Sequence, residues 1–361
     1  MPTFADDLAE LVCCESPSSD LAGTAACIDI AAEQGRARLG QAPERLASGG
    51  RTHLIWRFGS ACRVLLLGHV DTVWPMGTLA RWPFSVAGDR ASGPGVFDMK
   101  AGVVQMFEAA SQLDDLEGVW ILLNCDEEIG SPTSGSLIEE AARGAAAALV
   151  FEPSAAGAIK TARKGVAQYT LRIVGRAAHA GLEPERGVNA AVEAAHQVLA
   201  IAGLADPAAG TTVTPTVLSV GTVINAVPAA GSVAIDVRAS TAAEQQRVEA
   251  ALQAMSPALA DASLSLDRSM KVPPLEAGSS RELFALACEV AAEQGLPPLE
   301  GVAVGGGSDG NRTAAAGVPT LDGLGAVGDN AHAEGEWTSL AAMPERAALA
   351  AALIRRILGL H

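Results

Sequence analysis

The feature that most restricts this chain is the run Val64-Leu65-Leu66-Leu67, which passes through Gly68 and breaks at once into His69-Val70-Asp71-Thr72. Consecutive apolar residues without alternation read as a buried strand, and the polar break marks its carboxyl end. Residues i and i+2 of an extended chain share a side, so His69 and Asp71 can face one point together. The pair has the form of a metal ligand with its supporting carboxylate. Taken alone, it describes equally well a strand-end histidine satisfied by a neighbouring acid.

The same pattern recurs. An apolar strand over 119–123 ends in Asn124-Cys125-Asp126-Glu127-Glu128, and another over 148–151 ends in Glu152-Pro153-Ser154. In open α/β sheets ligands gather outside the carboxyl ends of the strands, so His69, Glu127, Glu128 and Glu152 are expected to converge. Adjacent carboxylates repel one another unless protons or cations hold them, and a metal is the natural remedy. Between these strands a turn-rich approach, residues 93–102, carries Asp98 to the start of a helical pattern at Val103, Met106, Phe107 and Ala110. There it either caps the helix or points a carboxylate into a pocket.

The rest of this region is scaffold. A helix carries Leu8, Leu11 and Val12 after a Thr3 cap, and a second spans 25–39. Strands over 54–58 and 64–67 flank a Gly59-Ser60 turn, and a helix covers 137–146. From Val166 the element order becomes strand, helix, strand, strand, helix, strand, which matches a ferredoxin-like unit. Residues 165–272 are therefore expected to form a domain inserted between 1–164 and 273–361. The later string Gly305-Gly306-Gly307-Ser308-Asp309-Gly310 matches G-x-G-x-x-G. Too little chain follows it for a dinucleotide-binding domain, so it is read as a glycine turn that brings backbone close to a ligand. His332 follows in a loop flanked by acids, ahead of an alanine-rich terminal helix.

Composition narrows the partners. The 361 residues allow about two domains. A net charge of −16 repels phosphate backbones and anionic lipid, which argues against nucleic acid and membrane partners. Residues 1–7 lack the basic start and apolar core of a secretory signal, and no apolar run reaches spanning length, so a cytoplasmic protein is expected. The six cysteines show no C-x-x-C pair and read as buried small hydrophobes. His53 and His196 lie outside any cluster and read as structural or surface residues.

His69, Asp98, Glu128, Glu152 and His332 form a nitrogen and oxygen donor set suited to zinc, with cobalt or manganese as substitutes. Five ligands exceed the need of one ion and would serve two, about 3.5 to 4 Å apart. Six segments carry a resemblance: Gly68 through Val73, Gly93 through Gly102, Asp126 through Ser131, Glu152-Pro153, Gly175 through Gly181, and Ala331-His332. In this order the chain resembles the di-zinc metallopeptidase family of glutamate carboxypeptidase, acetylornithine deacetylase, succinyl-diaminopimelate desuccinylase and aminoacylase, closest to the first. The resemblance implies that Asp98 bridges two ions, with His69 and Glu152 on one and Glu128 and His332 on the other. It further implies that Asp71 orients His69, that Glu127 is the general base, and that the inserted domain is a lid and homodimer interface. In that domain His179, with Asn225 nearby, would stabilise the oxyanion and Arg238 would bind a substrate carboxylate, while Gly307 and Ser308 would line the pocket. On sequence alone Arg238 could instead pair with Asp236. The expected activity is hydrolysis of an amide bond beside a free carboxylate, as a carboxypeptidase. The alternatives are an N-acyl amino-acid deacylase and a metal-binding protein without turnover.

Overall fold

Residues 3–360 are described by a computed structural model, which divides into two compact units. The first runs through Ala162 and resumes at Leu275–Val304 and again from Ser308. The second comprises Arg163–Pro274 with Gly305–Gly307. These limits fall just outside the expected 165–272, and the glycine run groups with the second unit instead of the first. There the buried Arg163 guanidinium donates to the carbonyls of Gly306 and Gly307. Met1 and Pro2, where the N-terminal reading begins, and His361 lie outside the described residues.

The first unit is built on a six-stranded sheet, ordered Glu44–Ser48, Arg51–Arg57, Val119–Asn124, Val64–His69, Ala147–Val150 and Thr320–Leu321. The last four are parallel. Val64 and Leu66 pack into a core shared with the helices Phe4–Val12, Leu21–Leu39, Ala101–Ser111 and Ala342–Leu358. Leu65 and Leu67 pack into another, with Ile138 and Ala142 of the helix Gly135–Ala142. Both faces are therefore covered, which is why these strands read as unbroken apolar runs. Burying each such leucine contributes about 1.5–3 kcal/mol.

Several local expectations change. Arg51–Arg57 and Val64–His69 are not partners across the Gly59-Ser60 turn, because Val119–Asn124 lies between them, antiparallel to the first and parallel to the second. The second helix begins at Leu21, where the Asp20 side chain caps it by accepting from Gly23 N, and it ends at Gly40 in the left-handed region. The helix expected over 137–146 stops at Ala142, ahead of Gly144, whose φ is +82°. Among the described residues all six cysteines are free, but only Cys27 and Cys125 are buried, and Cys13 is exposed. Reading them all as core residues was too simple.

The second unit is a four-stranded antiparallel sheet in the order Thr212–Val220, Ala230–Ala239, Gly165–Val174, Ser263–Val272. Tyr169, Leu171, Ile173, Val233, Ile235 and Val237 form its core with Ala194 and Ile201 of the helix Ala190–Ala202 and Val248 and Leu252 of Ala242–Gln253. Along Gly165–Val174 the outer half alternates between buried and exposed, as a sheet covered on one face should. Among the described residues no helix is long and apolar enough to cross a membrane.

Candidate metal centre

The chain leaves Val64–His69 for a neighbour on one side, Val119–Asn124, then crosses to the other side at Ala147–Val150. The strand order thus reverses at His69, and a crevice opens where such sheets bind ligands. Glu127 and Glu128 sit in a short turn past Asn124, and Glu152 lies just past Val150. Asp98 sits in a kinked turn over 96–100, its own backbone extended at φ −114° and ψ 98°, just ahead of the helix Ala101–Ser111. No side chain caps that helix, so capping is not what Asp98 does. His332 comes from a loop near the C-terminus and has a left-handed φ of +61°.

All five expected ligands meet. His69 is buried, with Nε2 3.5 Å from Asp98 Oδ1 and 3.5 Å from Glu152 Oε1. His332 Nε2 lies 3.3 Å from Asp98 Oδ2 and 3.2 Å from Glu128 Oε2. Asp98 therefore turns one oxygen to each imidazole. Glu127 joins the same crevice: single donor atoms of His69, Glu127 and Glu152 lie within 4.8 Å of one another, as do those of His69, Asp98 and Glu128.

Asp71 acts more widely than its spacing suggested. His69 Nδ1 donates at 3.0 Å to the main-chain carbonyl of Asp71, and the Asp71 carboxylate lies farther off at 3.4 Å. That carboxylate accepts from Glu127 N at 3.2 Å, Glu128 N at 3.1 Å and Ser18 Oγ at 2.6 Å. It thus sets both the imidazole and the acidic turn. Ser18, and the parts played by Asn124 and Ser131, which each donate at 2.5 Å to Asp309 of the glycine turn, escaped sequence reasoning. Short polar residues in loops carry no periodic signal, although Asn124 and Ser131 stand inside strings already singled out.

Electrostatics follow from the crowding of acids. Burial opposes charge on His69, but Asp71, Asp98 and Glu152 outweigh it and hold the imidazolium well above its usual range. Hydrogen bonds to Asp98 and Glu128 push His332 up to about 11. Burial, reinforced by Glu152, raises Glu127 well above the ordinary carboxylate range. Burial and the charge of Asp98 lift Glu128 to about 7, and burial lifts Asp309 to about 6. Glu128 Oε1 is buried and has no hydrogen-bond partner among the described residues. A divalent cation would satisfy that oxygen and relieve the repulsion, and the donors contain no thiolate, so this set fits hard or borderline ions.

The family model described as Peptidase family M20/M25/M40 matches residues 65–356. The chain belongs to this family. Carboxypeptidase G2 from Pseudomonas is 34% identical over 305 residues, covering 81% of this chain and 73% of that protein. A succinyl-diaminopimelate desuccinylase from Azoarcus is 36% identical over 184 residues, covering 45% of this chain and 48% of that protein. Among solved structures, the aminopeptidase PepT of Bacillus cereus superposes with a TM-score of 0.76 at 21% identity, covering 98% of each chain. The α/β architecture is thus that of the M20 peptidases.

The remaining expected residues of this M20 peptidase have the following local surroundings. In the second unit His179 is exposed on a two-residue strand paired with Ala226-Val227, and its Nδ1 accepts from the N–H groups of Gly181 and Leu182. Only Nε2 is left to act outward. Asn225 is exposed beside it and accepts through its main-chain carbonyl from Ala180 N. Arg238 forms a two-point pair with Asp236 at 2.9 and 3.1 Å, the alternative that sequence left open. Ser308 is buried and donates at 2.5 Å to Asp322, so its hydroxyl is already committed. Gly307 offers backbone, and its carbonyl accepts from Arg163 at 3.0 Å. His53 is buried against Thr133 Oγ1 at 2.9 Å, and His196 is exposed on a helix.

Proposed function

We propose that this M20 peptidase is a zinc-dependent carboxypeptidase that hydrolyses an amide bond adjacent to a free carboxylate and releases a C-terminal amino acid. The observation that carries the reading is Asp98, which faces His69 with one oxygen and His332 with the other, each imidazole having a further carboxylate of its own. In this reading His69, Asp98 and Glu152 hold one ion and Asp98, Glu128 and His332 hold a second. Zinc fits the donors, and cobalt or manganese could replace it. Such a pair supplies the positive charge that acidifies water and polarises an amide carbonyl.

The chain's own groups do the rest. Glu127, beside His69 and Glu152, takes the proton of the attacking water and returns it to the departing nitrogen, so one carboxylate serves both half-steps. Asp71 keeps the Glu127 and Glu128 amides and the His69 ring in place. By family resemblance His179 and Asn225 stabilise the oxyanion, Arg238 exchanges Asp236 for the substrate carboxylate, and Gly307 and Ser308 shape the pocket. The same resemblance makes the second unit a lid and the interface of a homodimer. In support, its edge strand Thr212–Val220 exposes Val217 at 64% and Leu218 at 58%.

The second reading, an N-acyl amino-acid deacylase, is favoured by the match to the desuccinylase. Hydrolysis of C-terminal peptides and acyl-glutamates, compared with N-acetyl and N-succinyl amino acids, separates the two. Glu127→Gln should lower kcat by about 10²–10⁴ while divalent-ion uptake persists. Equal turnover by that variant would remove the general-base assignment. Failure on every substrate by zinc-loaded wild type would leave a metal-binding protein.

A further inference from the structure

Glu336 takes no part in the chemistry proposed above, yet its side chain is fully buried and accepts four hydrogen bonds. Phe97 N and Asp98 N donate to Oε1 at 2.8 and 2.9 Å, while Gly95 N and the indole N–H of Trp74 donate to Oε2 at 3.0 and 2.9 Å. The donors lie 238 to 262 residues away along the chain. Three main-chain amides can converge on one carboxylate because Gly95, at φ +73°, turns the backbone through the left-handed region and leaves the N–H groups facing inward. A buried carboxylate is costly unless it is fully bonded, and four donors offset that cost.

Glu336 is itself held firmly. Its carbonyl accepts from Ser92 Oγ at 2.8 Å, and the next strand, Trp337–Ser339, pairs antiparallel with Arg90–Ser92. Trp74 stands edge-on to Trp82 at 5.0 Å, which fixes its indole. Each segment joined at this carboxylate carries a proposed ligand. Trp74 closes the stretch that begins with His69 and Asp71, the Gly95 turn ends in Asp98, and Glu336 follows His332 by one turn of loop.

We infer that Glu336 is a positioning residue for the centre, a buried carboxylate that ties the three ligand-bearing segments together and so sets where Asp98 stands relative to His69 and His332. Its consequence for ion binding rests on the di-metal reading, while the tie itself stands on the hydrogen bonds. Glutamine at this position keeps the shape but can offer only one oxygen, so an amide NH₂ is turned toward donors.

The test uses the full chain as Glu336→Gln. Hydrogen exchange at the amides of residues 95–98 should speed up by on the order of tenfold or more. Zinc affinity, measured by competition with a chromogenic chelator, should weaken 10- to 100-fold, as for other groups that orient ligands. At saturating zinc the KM should match wild type. Unchanged exchange at 95–98 overturns the inference whatever the wild type binds, and faster exchange with unchanged zinc affinity overturns it too. Wild-type protein that takes up no divalent ion overturns the di-metal reading, and with it the link to ligands. Should Glu336→Gln fail to fold, Trp74→Phe removes one donor and leaves the carboxylate. It should show the same changes at a few-fold, and no change in either measurement overturns the tie.

Discussion

Replacing Asp71 by asparagine keeps its outline and removes its charge, which tests how much of the centre is set by a residue that holds no ion in the proposed scheme. Four donors face its two oxygens: Ser18 Oγ at 2.6 Å and Glu128 N at 3.1 Å on one, Glu127 N at 3.2 Å and His69 Nδ1 at 3.4 Å on the other. Asparagine has a single oxygen, so whichever way its amide sits, an NH₂ is pressed against a main-chain N–H. A hydrogen bond to a charged group contributes about 1.5–3 kcal/mol, and with Asp71 fully buried little is lost to solvent. A net loss of about 2–3 kcal/mol converts to a 30- to 150-fold weaker hold on a divalent ion, near the upper end for groups that orient ligands. Chelator competition measures the affinity, and thermal melting of the metal-free protein measures the fold. Affinity within twofold of wild type would refute the reasoning, since it would mean that the acidic turn and the imidazole keep their places without the carboxylate.

Two further outcomes follow from geometry and charge. A Cβ at Gly102 would stand 2.0 Å from the carbonyl oxygen of Phe151, so Gly102→Ala should push back the strand end that carries Glu152. Lower melting temperature and weaker ion uptake together are expected, and melting alone would show that the strand end does not move. In the second unit Glu193, buried at the surface of its helix, accepts from Ala258 N at 3.0 Å, Leu259 N at 2.8 Å and Gln197 at 2.6 Å. Burial opposes ionisation there, but these bonds win and hold the carboxyl below its usual value. A depressed carboxyl stabilises the fold above the ordinary glutamate range and loses that contribution as the pH falls through the folded value. Glu193→Gln should therefore melt below wild type near neutral pH, with the gap closing on acidification; a gap that is constant with pH would contradict the assignment.

The apolar runs at 64–67, 119–123 and 148–151 were legible because strands covered on both faces need no alternation, and the acids at their ends were conspicuous for the same reason. Glu44–Ser48 left no such mark, since an edge strand half open to water tolerates Arg45 and Ser48. Pairing order was hidden because it depends on contacts far apart in sequence, so adjacent segments looked like partners when a third strand lay between them. His332, half exposed on a left-handed loop, was found through its acidic neighbours and resemblance, not through periodicity. Ser18, which donates to the Asp71 carboxylate, and Glu336, which accepts from distant backbone amides, were invisible as functional groups, because a side chain bonded to residues far along the chain imposes no pattern on its own surroundings. At Arg238 resemblance pointed to a substrate carboxylate and the strand spacing to Asp236, and the pair with Asp236 is present here.

The second unit enters and leaves through neighbouring strands: Val166 pairs with Val272, and a Cβ on Gly165 would meet Pro274 N at 2.7 Å. Its two ends are therefore pinned side by side by its own sheet. Once folded, this long insertion behaves toward the rest of the chain as a tight hairpin, sparing the host on the order of 3 kcal/mol of loop-closure entropy that a floppy segment of equal length would impose. The pairing of Leu321 with Leu149 across that insertion is therefore far less costly to close than the sequence separation suggests.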